Sequence, residues 1–136
     1  MPRLQLQIFQ QPPVARIVMN ILRQDGEEYL LEAEVDTGAE VSLLPARLME
    51  ILTYRETDRS RIVIDQAGVA EQAFSATEAY VVVSLEDLDG NRTKPFEALV
   101  WFADTNVVLL GFANILDRDG LHIDMPRRTG WIELDA

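Results

Sequence analysis

Asp36-Thr37-Gly38 closes the alternating stretch Leu31-Glu32-Ala33-Glu34-Val35 and runs on into Ala39-Glu40. A strand that ends in a carboxylate and turns at once through glycine puts that carboxylate on a tight loop. Backbone amides and the threonine hydroxyl can hold such a loop, and glycine permits close approach and positive φ. A carboxylate fixed in this way serves as an acid or a base. Hydrolysis of an amide by carboxylates takes two of them sharing a proton, and the triplet occurs once in this chain. The absent partner is the main clue to function.

Other hydrolytic chemistries are poorly supplied. The chain has no cysteine, which excludes thiolate nucleophiles, disulfides and cysteine zinc sites. His122 is the only histidine, so a two-histidine zinc site cannot form within one chain, and a serine triad has a single candidate base. Twelve basic residues stand against 23 acidic ones, a formal charge of −11. A nucleic-acid binder needs a basic face, so the acidic balance argues against that class and no nucleic-acid partner is expected. No run approaches 18 apolar residues and no apolar leader opens the chain, so a soluble, cytoplasmic protein without membrane partners is expected.

At 136 residues and 48% hydrophobic, the chain is expected to be one domain, 1–136, with a sizeable core. Short apolar runs between turn signals predict an all-β fold. Strands are expected over 14–22 and 29–35 around the Asp25-Gly26 turn, then over 41–44, 61–65, 71–76, 79–85, 95–102 and 107–110. A C-terminal hairpin is expected from 122–125 and 131–134. Pro45 suits the first turn of a short helix over 46–52, and a second helix is expected over 112–117. Ala39-Glu40-Val41-Ser42-Leu43-Leu44-Pro45 is echoed by Thr105-Asn106-Val107-Val108-Leu109-Leu110-Gly111 at an offset of 66 residues. That echo suits two related halves, or chance; in the second half Phe102 stands where Asp36 stands in the first.

The loop and its echo together carry a resemblance. Val35-Asp36-Thr37-Gly38-Ala39-Glu40-Val41-Ser42-Leu43-Leu44, followed by Val107-Val108-Leu109-Leu110-Gly111, resembles the retropepsin-like aspartic proteases over residues 14–134. The resemblance implies a small closed all-β barrel with one or two short helices and a flap hairpin. It implies an aspartic endopeptidase that needs no metal or organic cofactor, works as a homodimer, and takes a peptide or protein substrate. Each subunit then contributes one Asp36 to a shared cleft. Thr37 braces the paired loops across the dimer, while Gly38 and Ala39 line the cleft floor and Glu40 joins them in binding substrate. Gln66, Ala67, Gly68 and Val69 form the flap tip, and Val107 and Leu109 line side-chain pockets. The segments 4–9 and 131–134 build intersubunit sheet.

The chain departs from that pattern in two places. Phe112-Ala113-Asn114 stands where many relatives follow glycine with Arg-Asp or Arg-Asn, which removes a possible partner for Glu40. The flap has only Gly68 where viral members have several glycines. Two alternatives stand beside the protease reading. One is a catalytically silent dimerisation or peptide-binding module of the same fold; the other is a small β-barrel binding domain with a coincidental triplet. Asp104-Thr105-Asn106 is expected to be a pocket-rim loop and His122 a surface or dimer-edge residue. Glu86 to Gly90 is expected to be a solvated turn, since it lacks the spaced ligands of a calcium loop. Residues 55–61 are expected to be loop, and Asn91-Arg92-Thr93 the flank of a turn.

Overall fold

The computed structural model describes residues 3–58, 62–64, 74–117 and 120–133. Among these residues the chain is mostly β, in two sheets. In chain order the strands are β1 (Arg3–Gln5), β2 (Gln7–Gln10), β3 (Pro13–Leu22), β4 (Glu28–Val35), β5 (Ser42–Pro45), β6 (Tyr54–Glu56), β7 (Ile62–Ile64), β8 (Phe74–Glu86), β9 (Phe96–Ala103), β10 (Leu109–Leu110), β11 (Gly120–Asp124) and β12 (Thr129–Glu133). One 3-10 turn, Ala46–Glu50, follows β5. Among the described residues no helix is long and apolar enough to cross a membrane.

β3 shows why these segments are strands. Ala15, Ile17, Met19 and Ile21 are buried while Val14, Arg16 and Val18 are only half-buried, the period-2 pattern of a sheet with one face on a core. β3 turns into β4 through Asp25 and Gly26; Gly26 has φ 88, and Asp25 Oδ1 accepts the Glu27 N–H at 2.9 Å. Met19, Leu44, Leu52, Leu85, Phe102, Leu110 and Ile115 meet in the main core, each almost fully buried.

The large sheet runs in the order β2-β3-β4-β10-β5-β9-β8-β6, and β3 also pairs with β8, so the path of pairings returns on itself. At its centre β10 pairs antiparallel with β5 through Leu109 and Leu43, the residues matched by the sequence echo. On either side lies a parallel pair, β10 with β4 and β5 with β9. Beyond each comes an antiparallel one, β4 with β3 and β9 with β8. Matching β3 to β8, β4 to β9 and β5 to β10 makes the order read alike in both directions. An antiparallel contact between matched residues is what a local two-fold requires.

Several expectations are corrected. Of the expected strands 71–76 and 79–85, the described residues belong to one strand, β8, which starts at Phe74 and pairs with β9 without a break from Ala76 to Val83, Glu78 lying opposite Trp101. Residues 71–73 lie outside the described residues. The N-terminal segment divides at Leu6: β2 joins the large sheet, while β1 joins β12 and β11 in a three-stranded sheet. The terminal segments thus pair with each other inside one chain. Within the expected loop 55–61, Arg55 and Glu56 belong to strand β6, and residues 59–61 lie outside the described residues. No regular helix follows Gly111, since Ala113 is extended (φ −57, ψ 120) and Asn114 left-handed (φ 63, ψ 4) within Phe112–Leu116.

The acidic turn after β8 is also less solvated than its composition suggests. Leu88 is exposed, but Asp87 is buried. Burial alone raises the Asp87 pKa. That effect is outweighed by hydrogen bonds from the Gln5 N–H, the Asn91 side chain and the Asn91 and Asp89 N–H groups, which hold it below its ordinary 3.8. With its acceptors taken up, the carboxylate has no role for a cation and instead ties β1 to the turn. A depressed folded pKa gives stability that is complete above the unfolded value and fades as pH falls through the folded one. Asp87→Asn is therefore expected to cost roughly 2 kcal/mol in urea unfolding at pH 7. The gap to wild type should narrow steadily below about pH 4.

Candidate active site

β4 delivers Asp36 under tight control. β10 runs parallel to it, pairing Leu109 with Glu34 and Leu110 with Val35. The Glu34 N–H donates to Val108 O and the Asp36 N–H to Leu110 O, both at 3.0 Å. Past Asp36 the chain turns, with the Ala39 N–H on Asp36 O at 3.2 Å. The Gly38 N–H donates to Asp36 Oδ1 at 2.8 Å. A Cβ on Gly38 would sit 3.2 Å from that same oxygen and crowd it, a reason for glycine beyond flexibility. Asp36 is half-buried, and its Oδ2 has no hydrogen-bond donor among the described residues. One carboxylate oxygen is anchored and the other is available, which suits a proton-transfer group.

The other expected site residues divide clearly. Thr37, Gly38 and Glu40 are exposed, whereas Ala39 is buried. Thr37 makes no hydrogen bond among the described residues, so the carboxylate is held by the Gly38 amide and not by the threonine hydroxyl. Leu109 is buried and Val107 half-buried, in one apolar group with Leu43, Ala76, Ala103 and Trp101. Trp101 Nε1 donates to Glu78 Oε2 at 2.9 Å, which fixes the indole over that group. The flap-tip residues Gln66, Ala67, Gly68 and Val69 lie outside the described residues.

The remaining candidates belong elsewhere. Asp104 is exposed in the turn between β9 and β10, where the Thr105 hydroxyl accepts the Val107 N–H and Asn106 accepts from Arg47. His122 lies on the three-stranded sheet, its ring stacked on Trp131 at 4.9 Å and Nε2 3.5 Å from Glu133. No group of three or more His, Asp or Glu residues able to hold a metal occurs among the described residues.

One site-building residue, Ser42, is not legible from the sequence, whereas Gly111 stands where the Leu-Leu-Gly segment implies a crossing behind the loop. Ser42 is fully buried, and its Oγ accepts the Gly111 N–H at 2.9 Å. Gly111 passes so close to the aspartate loop that a Cβ would lie 2.7 Å from the Val41 carbonyl carbon and 2.8 Å from Ala39 O. Those neighbours are backbone and cannot swing aside. The only available signal for Ser42 was a lone hydroxyl in the apolar run Val41-Ser42-Leu43-Leu44. Compared with known proteins, the chain matches no family model and no curated sequence.

Gly111→Ala is expected to lower unfolding free energy by at least about 2–3 kcal/mol through backbone overlap. Ser42→Ala, which strands the buried Gly111 N–H, should cost about 1–3 kcal/mol. Urea unfolding followed by tryptophan fluorescence checks both. A Gly111→Ala variant as stable as wild type would contradict the close crossing.

Proposed function

We propose that this chain is an aspartic endopeptidase: a small closed barrel of retropepsin type, active as a homodimer on extended, largely apolar peptide segments. The observation that carries the reading is Asp36 itself. It stands at a strand end, tied by its own N–H to Leu110 O and by Oδ1 to the Gly38 N–H. Its other oxygen has no donor among the described residues, and the Asp-Thr-Gly triplet occurs once in the chain. The returning path of strand pairings and the local two-fold between β5 and β10 support the barrel.

In this reading a second copy supplies the second Asp36. Two carboxylates about 3 Å apart share one proton, because both cannot ionise easily. The ionised member takes a proton from water, and that water attacks the scissile carbonyl. The protonated member donates to the developing oxyanion, and the roles exchange as the amine leaves. The titration belongs to the pair and not to either residue. No metal or organic cofactor takes part. The substrate lies extended, like an added strand, with side chains against the apolar group around Val107 and Leu109. The acidic composition, without a long apolar run, suits a cytoplasmic site of action.

One observation favours the second reading, a catalytically silent dimerisation or peptide-binding module. β12 already has β1 on one side and β11 on the other, so a partner must use the outer edges of that sheet or displace β1. Asp36→Asn separates the readings. It is expected to abolish peptide cleavage and pepstatin-type inhibitor binding while leaving the dimer intact and stability within about 1 kcal/mol. Cleavage retained by Asp36→Asn sinks the proposed mechanism, and a wild-type dimer that cleaves no member of a peptide library favours the silent module.

A further inference from the structure

The segment after Gly111 makes two polar contacts beyond itself. The Ala113 N–H donates to Glu40 O at 2.9 Å, and Asn114 Oδ1 accepts the Leu99 N–H at 3.1 Å. Glu40 lies two residues before β5, and Leu99 lies one residue before the point where β5 joins β9, at Ser42 and Val100. Residues 113 and 114 therefore grip both strands just ahead of the ladder that they share. Asn114 makes this possible in two ways. Its left-handed backbone, φ 63, turns the chain between the two contacts, a conformation asparagine tolerates better than most residues. Its carboxamide supplies the acceptor.

We infer that Asn114 is a positioning residue for the Asp36 loop. The inference rests on the reading of Asp36 as the acid–base group. Asp36 is four residues upstream of Glu40, and the loop between them is held at its start by Leu110 O and at its end by Ala113 N–H. Gly111, pressed against Ala39 and Val41, fixes where the middle of that loop lies. Asn114 locks the closing end. A reacting carboxylate must stay within about 0.5 Å of its productive place, so slack at Glu40 reaches the chemistry. The Leu99 contact also makes Asn114 a link between β9, which carries Trp101 and Ala103, and the loop that carries the aspartate.

Two substitutions divide the roles. Asn114→Gly keeps the left-handed backbone and removes the acceptor; Asn114→Asp keeps both. In Asn114→Gly, amide exchange measured by NMR should quicken at Leu99 and at Gly38 and Ala39 by at least about fivefold, the scale of one hydrogen bond. With a peptide the wild type cleaves, kcat should fall at least about fivefold while KM stays within about twofold, a loss confined to the transition state. Asn114→Asp should restore exchange and kcat together. Unchanged exchange at Gly38 and Ala39 overturns the inference. So does a uniform quickening of all amides with kcat intact, the signature of a merely structural residue. A wild-type chain without peptidase activity would sink the protease reading alone, because the exchange pattern still decides the brace.

Discussion

The structure depends on one close crossing. Gly111 runs behind the aspartate loop with no room for a Cβ, its N–H held by the buried Ser42 hydroxyl. The placing of the loop's two ends follows from it. The crossing sets β10 between β4 and β5, which puts Leu110 O where the Asp36 N–H can reach it. It also brings Ala113 to Glu40, closing the loop at its far end. A buried hydroxyl and a buried amide left apart would each carry a desolvation cost, so the pair makes the crossing specific as well as tight.

That crossing sits on a local two-fold, and the two halves use it differently. The β4 half ends in Asp36 and a glycine turn. The matched β9 half ends in Phe102, almost fully buried against Tyr54 with ring centroids 5.6 Å apart, and then Ala103. One half presents a carboxylate and the other fills the core. In the proposed protease, a fold built twice around one axis but armed once takes its second carboxylate from a symmetric partner.

How much of this was legible in the sequence depended on the range of the interaction. The alternation that ends at Asp36, the Asp25-Gly26 hairpin and the Val-Leu-Leu echo are local patterns, and each corresponds to an element or pairing in the fold. Features set by distant contacts were not legible. Residues 112–117 carry no helix breaker in the interior, yet Ala113 is extended and Asn114 turns left-handed to meet Leu99. The division at Leu6 is fixed by the Leu6 N–H on Gly130 O and by Asp87 receiving the Gln5 N–H. Composition alone places Asp87 in water, whereas backbone donors from two separate segments converge on it. The role of Ser42 is set by a partner 69 residues away, which a hydroxyl shows only in three dimensions.

The central claim is that two copies of Asp36 share one cleft, and stoichiometry tests it most directly. Native mass spectrometry of the wild-type chain with a pepstatin-type inhibitor should give two chains with one inhibitor, and the same experiment on a mixture with an isotopically labelled chain should give mixed pairs with one inhibitor. A single chain that binds the inhibitor alone, or a dimer that binds two, would contradict a cleft built from one aspartate of each copy.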